Sequence, residues 1–396
     1  MTATTDGPLR GILVADFSRV LAGPLTTMWL ADLGATVVKV ERPGGGDETR
    51  HWGPPWAGST SAYFTAANRS KLSLTLDLTS PADLVVAQTL ARRADVMVEN
   101  FRTGTLDRFG LDYASVATRN PGLVYASITG FGSDKGASMP GYDFVVQAVG
   151  GLMSITGSPD APQKVGVALV DVLTAKDAVI GILAALQARA RDGHGQYVEV
   201  NLLSSLLASL ANQASSFLTT GQPPQAMGNR HPSIAPYETL ACQDGSIAIA
   251  CGNDGQFGRL TEVLGVPGLA ADPRFATNAA RVSNRDELAA LLEEQLAVKD
   301  AASWETILND AGVPAGQVGS IASGFALAQS LGLHPTIELP APHPPQVSHP
   351  IRYSRSEVRA ATAPPDSGAH NQDLRDWLTA GASLAELDHL LQPEGQ

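Results

Sequence analysis

The first two hundred residues alternate short apolar runs with stretches of helical period, and that alternation admits few folds. Gly11–Phe17 reads as a strand, the loop Ser18–Gly23 follows, and Pro24 stands at a first helical position. The helix it opens runs through Met28, Leu30 and Leu33 and ends near Gly34. Thr36–Glu41 is the next strand and Leu72–Leu78 a third, after which Ser80-Pro81 opens a helix through Leu84, Val85 and Leu90. Asp95–Glu99, Leu123–Thr129 and Gly195–Asn201 continue the series, and Leu202–Thr219 reads as one long apolar-rich helix. Strands with β-branched cores, separated by helices, predict a parallel sheet covered on both faces. The expected fold class is therefore α/β, with a Rossmann-like large domain. No G-x-G-x-x-G lies between the first strand and the first helix, so this architecture does not imply a dinucleotide.

Beyond residue 220 the pattern changes. Gln222–Pro236 is rich in Pro, Gly and His, and Leu240–Cys251 reads as a two-stranded unit turning at Asp244-Gly245. Helical segments follow at Leu260–Leu264 and Asp286–Leu296, which predicts a second, smaller α+β domain. The expected large domain covers 1–220 and is completed by 330–396, where 369–392 reads as a closing helix pair docked on it. The small domain covers 225–325, with linkers at 221–236 and 326–345.

Composition narrows the function. A formal net charge of −12 argues against non-specific nucleic-acid binding but leaves room for an anionic small molecule met by a local basic cluster. The two cysteines, Cys242 and Cys251, are too few for a disulfide framework and lack a metal-ligand spacing, so no metal is expected. Met1–Arg10 is short and polar, and no apolar stretch is long enough to span a bilayer. These features predict a soluble cytoplasmic protein with neither membrane nor nucleic acid as partner.

Asp171 is the acid that asks for an explanation. It closes the apolar run Val165–Val170 and precedes a second, Ala178–Leu186, that reads as a buried helix. An unpaired buried carboxylate is costly. The position therefore suits either a helix cap accepting backbone amides or a nucleophile or base at a helix N-terminus. Basic residues recur beside the strands: Arg42 after the second, Arg69 and Lys71 before the third, Arg102 and Arg108 after the fourth. Ligands of open parallel sheets bind at the carboxyl edge, where such residues can meet phosphates. Gly252–Asn253–Asp254–Gly255 follows the apolar strand Ile247–Ala250 and reads as a turn, or as a mobile loop offering backbone amides to a ligand. His51 and His231 have no partner at metal-ligand spacing, and no G-x-S-x-G elbow supports a serine hydrolase.

Several longer motifs occur in order along the chain. They include Asp16–Pro24 (DFSRVLAGP), Val38–Gly44 (VKVERPG), Glu99–Asn100–Phe101, Leu106–Leu111 (LDRFGL), Ser127–Gly132 (SITGFG), Pro140–Asp143 (PGYD) and Ala271–Phe275 (ADPRF). Over about residues 10 to 375 the chain resembles the class III CoA-transferase (CaiB/BaiF) family, which also contains α-methylacyl-CoA racemases. The stretches Thr49–Pro55, Gly150–Gly157 and Asn201–Ser205 are most similar to its succinyl-CoA:dicarboxylate branch, which includes glutarate transferases. The resemblance implies a Rossmann-like large domain joined to a small one, in an interlocked homodimer. It implies an enzyme that takes acyl-CoA and a carboxylic acid as substrates, with coenzyme A bound as substrate and no permanent cofactor.

By the same resemblance Asp171 matches the catalytic aspartate, which forms anhydride and aspartyl-CoA intermediates. Arg42 and Arg108 match contacts to the CoA nucleotide end, and Arg69, Lys71 and Asn100 are the further candidates for holding CoA. Tyr142 stands where the racemase branch places a His base. A tyrosine phenol, with an ordinary pKa of about 10, is a poor base toward an acyl-CoA α-proton near neutral pH, which favours transfer over racemisation. Formyl-CoA:oxalate transferases carry Gln where Leu21 stands and a glycine run where Gly252–Gly255 stands, so those positions point away from formyl and oxalate.

Overall fold

Strands β1 (Leu13–Asp16), β2 (Thr36–Glu41), β3 (Lys71–Thr75), β4 (Val96–Glu99), β5 (Val124–Thr129) and β6 (Tyr197–Asn201) form one six-stranded sheet. The structure is a computed structural model that describes residues 7–340 and 343–392. Parts of the polar N-terminal segment, of the 326–345 linker and of the 330–396 segment lie outside the described residues. The sheet order is β6–β5–β4–β1–β2–β3, and every neighbouring pair is parallel. Read from the other edge this is 3-2-1-4-5-6, the doubly wound order, whose topological switch point lies between β1 and β4.

Alternation along the strands sends side chains to two cores. Val14, Val96, Val98, Val124, Ala126 and Ile128 face one side. There they meet α1 (Ala22–Asp32) and the 24-residue helix Leu169–Asp192, through Leu30, Ala31, Val170, Ala178 and Ile182. Leu13, Ala15, Met97 and Tyr125 face the other side. They pack on α2 (Pro81–Arg93) and on the closing elements Asn371–Ala380 and Leu384–Leu391, through Leu90, Leu374, Trp377, Leu378 and Leu387. The closing pair thus packs on the sheet. Between β5 and β6 run α3 (Asp143–Val149) and α4, the long helix Leu169–Asp192.

Contacts divide the chain into two units. The first holds the described residues up to Leu152, Val165–Gln222 and those from His334 on; the second holds Met153–Lys164 and Pro223–Leu333. The second unit pairs β7 (Tyr237–Cys242), β8 (Gly245–Ala250) and β9 (Ala315–Gln317) in an antiparallel sheet. Helices α7 (Asp254–Val263), α8 (Arg285–Leu296) and α9 (Ala301–Asp310) bury Phe257, Leu260, Leu292, Trp304 and Leu308 against Ile247 and Ile249.

Local chemistry explains the departures from expectation. Pro24 is the third residue of α1 rather than the first, still in the turn whose amides lack intrahelical acceptors. The expected helix Leu202–Thr219 is two helices, α5 (Leu202–Ser209) and α6 (Ala211–Thr220), because Ala211 turns into the left-handed region at φ +44°. The β7–β8 register pairs Cys242 with Gly245, which places the turn at Gln243–Asp244, one residue earlier than read from sequence. The segment read as the 326–345 linker contains the end of helix Ile321–Ser330 and a strand, Thr336–Ile337, paired with Gln346–Val347.

Trp377 joins the closing helix to the sheet core. It is 5% exposed, donates from Nε1 to the Ser383 carbonyl at 2.8 Å, and carries the Arg93 guanidinium 3.8 Å from a ring centroid. Trp377→Ala is expected to cost about 3–5 kcal/mol of stability in a denaturant titration, because it leaves a cavity and an orphaned acceptor.

Candidate active site

The site is built at the carboxyl edge of the sheet, from the loop that leaves β1. Asp16, the last residue of that strand, is fully buried and accepts from the Ser18 amide at 2.9 Å, the Thr27 hydroxyl at 2.6 Å and Lys71 Nζ at 3.1 Å. Lys39 lies opposite Asp16 in the β1–β2 register and reaches the Ser18 carbonyl at 3.1 Å and Asp47 at 3.0 Å. Asp47 in turn accepts the Val20 amide at 3.2 Å. Asn100, just past β4, clamps the same loop, accepting the Arg19 amide at 2.9 Å and donating to the Arg19 carbonyl at 2.7 Å. These bonds hold Val20 at φ +70°, a conformation that costs a β-branched residue about 1–3 kcal/mol.

Burial works against ionising Asp16, but Lys71 and Lys39 outweigh it and hold the carboxyl at about 2. Burial also acts on Lys71, bringing it down to about 8 against the pull of Asp16. Both members of the pair are thus charged at neutral pH.

The clamped loop forms one wall of a cavity of about 390 Å³, lined by Arg19, Leu21, Asn100, Arg102, Tyr142 and Asp171 among others. Its walls are the segments after β1, β4 and β5 and the starts of α3 and α4. A neighbouring cavity of about 290 Å³ is lined by Lys39, Glu41 and Arg42 and shares Arg19 and Glu48 with the first. Glu48 pairs with Arg19 at 3.2 Å through Oε2, while its buried Oε1 has no hydrogen-bond partner among the described residues.

Asp171 lies in the first turn of α4, yet its carboxylate caps nothing. Ala168 is the N-cap, with no side-chain cap bond. Among the described residues no hydrogen bond to the Asp171 side chain is present. The Val170 amide goes instead to Asp143 Oδ1 at 2.7 Å. Burial raises the Asp171 pKa to about 7, and the Asp143 charge adds to the rise. Tyr63 lies close to both acids and is itself pushed up to about 12, by burial first and then by Asp171 and Asp143. A carboxylate relieved of hydrogen bonds and facing a cavity has its oxygens free for an electrophile.

Other expected site residues fall in different places. Arg42 and Arg108 are exposed, Arg42 beside the second cavity and Arg108 in the turn Asp107–Phe109 with its guanidinium 4.6 Å from the Phe109 ring centroid. The assignment of Arg69 and Lys71 to bound CoA is corrected. Arg69 is 3% exposed and paired with Asp32 at 2.6 Å, and Lys71 is 1% exposed and paired with Asp16. Neither ammonium nor guanidinium is open to a phosphate. Asn100 lines the cavity, but both ends of its amide hold the Arg19 backbone.

In the second unit, Gly252–Gly255 is not a free polar loop but a helix start. The Asn253 side chain caps α7 by accepting the Gln256 amide at 2.9 Å, and Gly252 donates to Gln256 Oε1 at 2.7 Å. Asp254 pairs with the buried Arg281 at 2.7 Å, and Gly255 is already helical. The sequence reading passed over Asp143, Glu48 and Tyr63. Asp143 had a signal, since it directly follows Tyr142, but a charge bonded to a helix 27 residues away leaves no local pattern.

The family model for CoA-transferase family III matches residues 9–371. The chain belongs to that family. Its substrates are therefore CoA thioesters, and the enzyme is a CoA-transferase. The succinate–glutarate CoA-transferase of Agrobacterium fabrum is 42% identical over 93% of this chain and 94% of that protein. The human succinyl-CoA:glutarate CoA-transferase is 38% identical over 93% of this chain and 85% of that protein. A CaiB/BaiF family protein from Brucella suis, 44% identical, superposes with a TM-score of 0.84 over 94% of this chain and 100% of that one. In this transferase no helix among the described residues is long and apolar enough to cross a membrane.

The lysine network under the site is open to a direct test. Lys39→Met leaves Asp47 buried without its ammonium and frees the Ser18 carbonyl, so a loss of about 3–5 kcal/mol is expected in chemical denaturation. An unchanged midpoint and slope would show that the pair carries no structural weight.

Proposed function

We propose that this transferase moves CoA from succinyl-CoA to a dicarboxylic acid, with Asp171 as the covalent nucleophile. One observation carries the reading: the Asp171 carboxylate lines the cavity at the carboxyl edge without a hydrogen bond among the described residues, while another acid takes the helix-capping role. The names of the Agrobacterium fabrum and human relatives support succinate and glutarate as the acid pair.

The steps balance without water or redox chemistry. The Asp171 carboxylate attacks the thioester carbonyl, and the C–S bond breaks to give an aspartyl–succinyl anhydride and CoA thiolate. The thiolate attacks the aspartyl carbonyl, which releases succinate and leaves an aspartyl-CoA thioester. The acceptor carboxylate attacks that thioester, giving a second anhydride and thiolate. The thiolate then attacks the acceptor's acyl carbonyl, which yields the new acyl-CoA and restores Asp171. Splitting one exchange into four displacements is what covalent catalysis supplies. The exposure of Arg42 and Arg108 supports their meeting the phosphates at the nucleotide end of CoA, with the forked contacts that guanidinium groups favour. Tyr142 is the N-cap of α3 and lines the same cavity, where its phenol can meet the acyl part.

The proposal extends to assembly and location. Helix Ala211–Thr220 and α10 (Ile321–Ser330) bury no side chain, and Leu218 and Ile321 are 81% and 83% exposed. Apolar helices left uncovered support a homodimer in which a second copy covers them. Two free cysteines, Cys242 and Cys251, support a reducing cytoplasm.

Incubation with succinyl-CoA is expected to leave the protein heavier by CoA less one water, with the label on Asp171 in peptide mass spectra. Asp171→Ala should abolish the adduct and lower kcat at least about a thousandfold, a loss of the size seen when other covalent nucleophiles are removed. Full turnover by that variant would end the assignment. Because the reactive form is the carboxylate, kcat/KM should fall with pH below a limb near 7, the value to which Asp171 is raised. A pH-rate profile of the free enzyme checks this.

A further inference from the structure

We infer that Asp143 is a positioning residue for CoA transfer: it caps the helix that carries Asp171, so that the Asp171 oxygens stay free for the thioester. The inference rests on the nucleophile reading above and goes a step past it.

The geometry is specific to α3. Asp143, its first residue, is 9% exposed and accepts the Val170 amide at 2.7 Å. Gln147, one turn along and fully buried, donates Nε2 to the second Asp143 oxygen at 2.8 Å. Its Oε1 accepts the Val165 amide at 2.9 Å. Between these two, Val146 packs in the same core as Val170. One face of α3 thus holds the chain on both sides of the point where α4 begins. Positions four apart share a helix face, which is why a single pair can do this. Tyr142, immediately before Asp143, lines the cavity. The short helix therefore places a cavity-lining phenol and the anchor of the Asp171 helix in successive residues.

A helix start needs acceptors for its free amides, and a side-chain oxygen at the N-cap usually accepts from them. Had Asp171 filled that need, its oxygens would be held by N–H groups, stabilised as the anion and withdrawn from the cavity. With Asp143 in that role the opposite holds. Asp143 also places a negative charge beside Asp171. The groups around Asp171 are Asp143 from α3, Tyr63 from the helix Ala62–Thr65, and Arg19, Glu48 and Tyr142 along the cavity. Lys176 and Asp177 follow on α4 itself. Of all these, Asp143 is the charge that adds to the effect of burial on Asp171.

Two variants separate the cap from the charge, with succinyl-CoA as the probe. Asp143→Asn keeps an oxygen for the Val170 amide but removes the charge. It is expected to form the adduct while the acid limb of its pH-rate profile moves to lower pH. Asp143→Ala removes both, and kcat should drop about tenfold to a hundredfold through misplacement of the nucleophile, while KM for succinyl-CoA stays within about threefold because the substrate walls are untouched. If Asp143→Ala does not fold, Asp143→Leu, which keeps the volume but offers no acceptor, is read in its place. Wild-type kcat in the folded variant without the acceptor, with the wild-type adduct present, overturns this inference alone. A wild-type enzyme that forms no adduct overturns the nucleophile reading and this inference together.

Discussion

Two buried lysines, Lys39 and Lys71, tie the carboxyl edge of the sheet to the loop that walls the cavity. An ammonium cannot be buried alone, so each has recruited carboxylates and carbonyls from the loops around it. Such networks contribute little to net stability, since well-packed apolar groups in their place often do as well. What this one fixes is a conformation. The Ser18 carbonyl, the Ser18 amide and the Val20 amide all end on members of the network, and the strained backbone at Val20 depends on those bonds. Without them the segment after β1 would relax toward ordinary φ, and Arg19 and Leu21 would leave the cavity wall.

The same side chain behaves in opposite ways a short distance apart. Asp16 is completely buried and still ionises at about 2, because two ammonium groups and two hydroxyls face it. Asp171 is less enclosed and sits at a helix N-terminus, where the dipole favours an anion. It is nevertheless raised to about 7, since burial and the Asp143 charge meet no donor that would oppose them. Donors, not depth, decide which acid stays ionised as a strut and which is raised toward neutral pH.

That distinction also marks what the sequence could convey. The six strands of the parallel sheet were legible because strands covered on both faces need uninterrupted apolar runs, and such runs are local. Arg69 and Lys71 looked like phosphate ligands because sequence gives the side chain but not its partner. Their carboxylates lie 37 and 55 residues away, and only the fold shows both pairs turned inward. The Gly252–Gly255 segment misled for a related reason: Gly and Asn suit a loop and a helix cap alike, and Arg281 decides between them by holding Asp254. Asp143 hid behind its neighbour, since Tyr142 carried the contrast with the racemases and drew the reading to itself.

On the covalent reading, the surroundings that raise the Asp171 pKa bear on its attack. On the covalent reading, CoA thiolate meets an anhydride with two carbonyls. Attack at the acyl carbonyl expels Asp171 and returns the substrate; attack at the aspartyl carbonyl expels the free acid and goes forward. Both carbonyls belong to one anhydride, so the better leaving group is the weaker base. On that reading, burial of an Asp171 carboxylate without a donor among the described residues makes it the stronger nucleophile, while the acid released beside it meets the same surroundings, so direction is set by which carbonyl the thiolate can reach. An acid whose anion is stabilised by donors, as that of Asp16 is, would lose that reactivity. On the covalent reading, the need for a reactive carboxylate accounts for a second acid at the helix start: capping α4 and forming the thioester make opposite demands on one side chain.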